Sequence, residues 1–230
     1  MDRNSYYTDR MADLLQEFNA DARRWGAVLS SQYGAGFAAA VLHKSRESLD
    51  ALIPQIPYIG GDESWTVSLL ASVRCLAFCQ AMAAHGRTAA EAGKVLFDAV
   101  LARAAEPQAP LSPSLALTPE QTMERRRRRA NRSQQRLYPE DFVCAFVPGG
   151  AEFDYGYDFT ECASLKFYHA RGADEFLSFY CFLDFAYSMV FGGGLTRTMT
   201  LAEGDARCDH RFKAGRATDV SWPPPFLRGK

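Results

Sequence analysis

The chain has 230 residues, 47% of them hydrophobic, 13% aromatic and 23% charged. That mixture excludes disorder over its whole length and suits one large globular unit or two small ones. With 26 basic and 27 acidic side chains the formal net charge is −1, so no global field directs the chain toward nucleic acid or an acidic membrane.

The opening residues lack the basic-then-apolar run of a secretory signal. Residues 176–190 come nearest to a membrane span, but they fall short of the roughly 18 uncharged apolar residues required and carry Asp184. A cytoplasmic protein is expected, with its six dispersed cysteines as free thiols.

Residues 1–105 read as a helical scaffold. Leu15, Phe18, Ala22 and Trp25 recur at spacings of three and four, predicting one buried face of a helix that starts near Thr8. A second, alanine-rich helix is expected over 30–52, stopped by Pro54 and Pro57. Asp62 suits the N-cap of a third helix carrying Trp65, Leu69, Val73 and Leu76, with Gly86 as its left-handed end. Thr88 and Glu91 form a capping-box pair for a fourth helix, which carries Val95, Leu96 and Leu101. Cys75 and Cys79 share a face of the third helix. Without a second pair at ligand spacing, they are expected to fill the core rather than hold metal.

Residues 106–139 differ in composition. Prolines and serines mark 106–117 as a linker, and five consecutive arginines, Arg125 to Arg129, follow, then Arg132 and Arg136. Such a cluster either binds phosphate or nucleic acid, or forms a solvated helical face. No aromatic side chains interleave with the arginines, which favours the solvated helix.

Residues 140–230 change period. Phe142, Cys144 and Phe146 alternate as a strand ending at Pro148. Next, Phe153, Tyr155, Tyr157 and Phe159 alternate against Asp154, Asp158, Thr160 and Cys162, predicting a strand with one aromatic and one polar face. A short helix through Leu165 and Tyr168 and an apolar helix over 176–190 come after it, the latter broken by the glycines at 192–194. Strands are expected at 195–202 and 207–213, joined by a hairpin at 203–206, and an extended tail runs from Trp222 to Phe226. The fold class is therefore α+β. A helical half packs on a small antiparallel sheet with an inserted helical pair, and residues 140–230 form one compact domain with that half.

The familiar phosphate-, dinucleotide- and zinc-binding motifs are absent, as is the serine-hydrolase elbow. Asp184 stands alone in an otherwise apolar helix, where an uncompensated charge costs several kcal/mol. It is read either as a cap for a neighbouring element or as a general base, with Cys181 on the same face. Cys162 ends its strand where a helix begins, a setting that favours thiolate, so it is either a nucleophile or an inert half-buried thiol. Alternation turns Arg197 inward, where it needs a carboxylate from Asp184 or from a ligand. Cys208, His210 and Phe212 share a face, which makes His210 an acid–base group or a packed ring.

The run from Cys162 through Cys181 and Asp184 to Arg197, Gly204, Asp205, Cys208 and Asp209 resembles the L-2-amino-thiazoline-4-carboxylic acid hydrolase family. A similar ending closes the 4-vinyl-reductase type of small-molecule-binding domain. The hydrolase resemblance implies ring-opening hydrolysis of a cyclic C–N or C=N bond, with Cys162, Cys181 and Asp184 at the site. In that reading Cys162 attacks, Asp184 manages protons, Arg197 holds the substrate carboxylate, and Cys181, Cys208 and His210 contact the substrate. No metal and no cofactor is called for. The expected partner is a small molecule rather than nucleic acid or membrane, with homo-oligomerisation open, and the alternative is a pocket that binds without turnover. The chain departs from the family pattern at His210, where phenylalanine is usual.

Overall fold

Apolar residues three and four apart bury one side of each of the first two helices, Met11–Tyr33 (α1) and Ala35–Leu52 (α2). The buried side chains are Leu14, Phe18, Trp25 and Leu29 on α1 and Ala38, Val41, Ser45 and Leu49 on α2. The computed structural model describes residues 6–61, 65–106 and 118–225. The expected cap at Asp62, the linker at 107–117 and the tail residue Phe226 lie outside them. α1 does not yield to α2 at residue 30 as expected, because nothing over 30–33 breaks a helix. The break falls at Gly34, whose φ of +87° few residues other than glycine adopt.

The third helix, Thr66–Ala84 (α3), is the central one and is buried on nearly every side. It reaches a mean hydropathy of 1.6, so by length and composition it is the one described helix able to cross a membrane, contrary to the expectation that no stretch qualifies; 56% of that window is buried inside the fold. Its single charge, Arg74, is matched by Glu17 and Asp21 of α1. The fourth helix, Ala89–Ala102 (α4), opens with the predicted capping box. Thr88 Oγ1 accepts the Glu91 amide and the Glu91 carboxylate accepts the Thr88 amide. The arginine segment is also a helix, Pro119–Ser133 (α5), opened by a second box between Thr118 and Gln121.

The sheet has four antiparallel strands, Val143–Pro148 (β1), Tyr155–Glu161 (β2), Leu195–Thr196 (β3) and Cys208–Phe212 (β4), in the order β1-β2-β4-β3. Two helices, Ala163–His169 (α6) and Asp174–Val190 (α7), stand between β2 and β3 in the chain and complete the α+β fold.

Most of the strand expected over 195–202 does not form, and the expected hairpin at 203–206 does not join two strands. After Thr196 the chain becomes a loop with a short 3-10 turn at Leu201–Glu203. Carboxylates take its backbone donors in place of a ladder. Asp209 accepts the amides of Thr198 and Met199 at 2.8 and 2.7 Å, and Asp205 accepts that of Thr200 at 2.7 Å.

One hydrophobic core contains side chains from the helical half together with α6 and α7. Tyr168 and Tyr180 donate their hydroxyls to the backbone carbonyls of Ser72 and Ser68, tying α6 and α7 to α3. α7 also packs closely along α4. Phe97 stacks on Phe182 at 5.3 Å, and Trp222 covers both Phe97 and Phe179. Gly93 permits that approach, since a Cβ there would stand 2.7 Å from the Phe179 ring.

Gly93→Ala should therefore destabilise despite its helix-propensity gain of about 1 kcal/mol. Overpacking costs roughly 1–3 kcal/mol, and melting should fall by about 2–4 °C per net kcal/mol lost. Calorimetric melting checks this, and an unchanged or higher Tm would show that α4 and α7 separate at no cost.

Candidate functional site

The sheet's inner face is aromatic because β2 and β4 place their large rings in register: Tyr155 opposite Phe212, Tyr157 opposite His210 and Phe159 opposite Cys208. Between this face and helices α3 and α7 lies a cavity of about 190 Å³. Trp65, Phe142, Tyr157, Phe159 and Phe212 supply its apolar wall, with Tyr180 opposite. A cavity of about 150 Å³ suffices for benzene, so this one suits a small ring with a substituent or two.

All six residues singled out in the sequence, Cys162, Cys181, Asp184, Arg197, Cys208 and His210, line this cavity. Asp184 is not buried as its helix suggests. The buried side of α7 consists of Phe176, Leu177, Phe179, Phe182, Leu183 and Ala186, while the Asp184 side chain is 47% exposed. It borders both this cavity and a smaller one of about 80 Å³. Arg197 meets it with Nη1 at 2.8 Å from Oδ2, and Arg197 Nη2 donates to the Cys181 carbonyl at 3.0 Å. His210 Nε2 lies 3.3 Å from the same carboxylate oxygen. The apolar surroundings push the Asp184 carboxyl up, but the His210 hydrogen bond and the Arg197 charge outweigh them and hold it below the usual range. Desolvation opposes the charge on Arg197, whose side chain is only 6% exposed, yet the attraction of Asp184 keeps it firmly protonated.

Cys162 departs from the sequence reading in two respects. β2 ends at Glu161, so alternation stops before Cys162, which becomes the N-cap of α6 and lines the cavity with Tyr157 and Phe159 rather than standing beside Asp158. Asp158 instead pairs with Arg211 on the outer face of the sheet. The thiol is also not depressed. Burial pushes it up to about 11, outweighing the Leu165 amide that donates to its sulfur at 3.4 Å. Burial raises Cys181 well above the ordinary thiol range and raises Cys208 too, even though the Leu201 amide donates to the Cys208 sulfur.

Several wall residues escaped the sequence reading. Ser68 comes from α3, and Trp65 immediately precedes that helix; both reach the cavity only through long-range packing. Ser164 follows the N-cap of α6, and its Oγ, like His210 Nδ1, is buried at the wall with no partner among the described residues. The acidic residues of the 204–209 segment, noted in the sequence only as part of a family motif, have a structural task. Asp209 fixes Thr198 and Met199, which follow Arg197 directly. Among the described residues, no group of three or more His, Cys, Asp or Glu side chains is placed to hold a metal ion.

An aromatic cavity this small, lined by three thiols and by a carboxylate held by arginine and histidine, defines a small-molecule site on an α+β frame. The chain belongs to the L-2-amino-thiazoline-4-carboxylic acid hydrolase family, whose model matches residues 69–212. The match runs from α3 through β4 and includes every cavity residue except Trp65 and Ser68. The family name identifies a hydrolase. No curated protein and no solved structure matches the chain significantly.

The Asp209 carboxyl is likewise held below its usual range. Burial pushes it up, but hydrogen bonds from Thr198 and Met199 outweigh that. A carboxyl depressed on folding stabilises above its unfolded pKa of about 3.9, and that contribution is lost as pH falls through the folded pKa. Asp209→Asn should therefore cost about 1–2 kcal/mol at pH 7, the difference between charged and neutral acceptors. The gap from wild type should shrink below about pH 4. Urea unfolding across that range checks the sign, and a gap that widens in acid would refute the role given to Asp209.

Proposed function

We propose that the protein hydrolyses a cyclic C–N or C=N bond in a small heterocyclic acid, with Cys162 as nucleophile. The observation that carries this reading is the convergence of Cys162 with the Asp184–Arg197–His210 cluster on one small aromatic cavity. Because the resting thiol is protonated at neutral pH, attack must be coupled to proton transfer. Sulfur bonds to the amidine-like ring carbon while its proton passes, through Asp184, to the ring nitrogen. The ring C–N bond then breaks, the freed amine keeping that proton, and leaves an sp2 thioimidate on Cys162; water adds to its carbon and the thiol departs with its proton restored, so one water is consumed. Asp184 suits the relay because Arg197 and His210 keep it ionised. The Ser164 and His210 side chains line the same cavity.

The protonated thiol also favours a second reading, in which the cavity holds its ligand without turning it over. Turnover of L-2-amino-thiazoline-4-carboxylate separates the two. Cys162→Ser should lower kcat/KM by about a thousandfold or more with the melting profile retained, whereas Asp184→Asn should lower it by roughly 10²–10⁴ and also lower Tm, because Arg197 loses its counter-charge. An active serine variant, or a wild type that binds the thiazoline without opening it, would favour the binding pocket. A mass adduct on Cys162 during turnover would establish covalent attack.

Alkylation follows from the same thiol. Iodoacetamide should label Cys162 slowly at pH 7, and the rate should rise about tenfold per pH unit toward pH 11. Cys75 and Cys144, pushed by burial to about 12, should lag behind it. Fast labelling of Cys162 at neutral pH would mean that the helix start overrides burial.

A further inference from the structure

The aromatic wall of the cavity continues outward to the arginine helix. α5 lies over β1, held by Ser133, whose Oγ accepts the Cys144 amide at 3.0 Å. Its arginines divide by face. Arg125, Arg127 and Arg128 are exposed; Arg127 faces Glu124 and lies 5.4 Å from the Phe146 ring centre, a ring that does not line the cavity. Arg126 and Arg129, three residues apart and so on one side, lie on aromatic rings. The Arg126 guanidinium is 3.9 Å from the Tyr155 ring centre and that of Arg129 is 4.8 Å from Trp65. Trp65 lines the cavity, and Tyr155 stacks at 4.8 Å on Phe212, which also lines it. Tyr157, between them on the wall, feels the charge of both arginines.

Neither Arg126 nor Arg129 has a carboxylate partner among the described residues. Arg129 is partly buried, and both desolvation and the charge of Arg125 oppose its own charge, as befits a cation without a counter-ion. Arg197 is different. Its two terminal amino groups already face Asp184 and the Cys181 carbonyl, so a substrate carboxylate needs another cation.

Neither guanidinium lines the cavity itself; each lies on a ring of its aromatic wall or of that wall's continuation. We propose that Arg129 and Arg126 form an anion site beside the cavity, receiving the carboxylate of a small planar acid whose ring lies along the Trp65–Tyr157 wall. This rests on the cavity being a site for a small heterocycle. It also orients that ligand, with the acid group toward α5 and the ring carbon toward Cys162 and Asp184. Planar guanidiniums stacked on rings are preorganised for a carboxylate. The two half-buried arginines favour a small acid over a polynucleotide, which would use the three exposed ones.

Thiazole-4-carboxylate and thiazole-4-carboxamide differ in charge but hardly in shape, and titration calorimetry reads their binding without turnover. Wild type should prefer the acid by about tenfold or more. Arg129→Gln and Arg126→Gln should each weaken acid binding by about 10–100-fold, as expected for losing a charge-assisted hydrogen bond, and leave the amide unchanged. Arg129→Lys should retain part of the preference, and Arg128→Gln all of it. Added salt should weaken the acid alone.

Absence of the preference in wild type, failure of both compounds to bind, or a preference that survives in both glutamine variants would overturn the proposal. An oligonucleotide that displaces the acid and depends on the same two arginines would overturn it in favour of a nucleic-acid surface. Turnover of the aminothiazoline acid is scored separately. A wild type that prefers the acid but never opens the ring refutes the hydrolase reading and leaves the anion site standing.

Discussion

The ion pair between Asp184 and Arg197 is the constraint around which the site is arranged. It joins the middle of α7 to the loop after β3, and through His210 it reaches the centre of β4. Arg197 is almost wholly buried and Asp184 half-exposed, so removing the carboxylate would leave a buried guanidinium without its counter-charge. An apolar pair of similar volume would hold α7 to the loop just as well. What the charges add is a carboxylate fixed in orientation and protonation state at the edge of a cavity.

That cavity exists because two surfaces meet without filling the space between them. The sheet contributes rings from alternate positions of β2 and β4, and α7 contributes Tyr180, Cys181 and Asp184. The hydroxyl of Tyr180 is tied to the Ser68 carbonyl, which fixes how far α7 stands from α3 at the cavity. The three cavity thiols pack there as small apolar groups at rest, and burial keeps each of them protonated.

Much of this was legible in the sequence where local chemistry decides the outcome. The capping box at Thr88, the apolar spacing of α1 and the alternation of β2 all rest on neighbours within a few residues. The segment after Thr196 misled because its alternating apolar residues imitate a strand, while the carboxylates that undo the ladder, Asp205 and Asp209, come later in the chain. Cys162 misled for a related reason. A helix start can be read locally, but the desolvation that outweighs it comes from α7 and β4, which no local pattern reports. Trp65 and Ser68 were invisible as wall residues because they reach the cavity through packing across the whole fold. The gathering of six separated residues at one cavity was foreshadowed by the oddity of each alone, a carboxylate or an arginine among apolar neighbours.

The position of Trp222 bears on how the molecule assembles. Its ring closes over Phe97 and Phe179, far apart in the chain from each other and from it. Contacts of such long sequence separation form late, after the loop-closure entropy of the intervening chain has been overcome. As the polypeptide leaves the ribosome, α4 and α7 emerge with this apolar surface uncovered until residue 222 arrives. Asp184 likewise waits for Arg197 and His210. The nascent chain thus passes through a stage in which its stickiest surface and its least satisfied charge are exposed together, and at that stage it is most open to association with other chains or to capture by a chaperone.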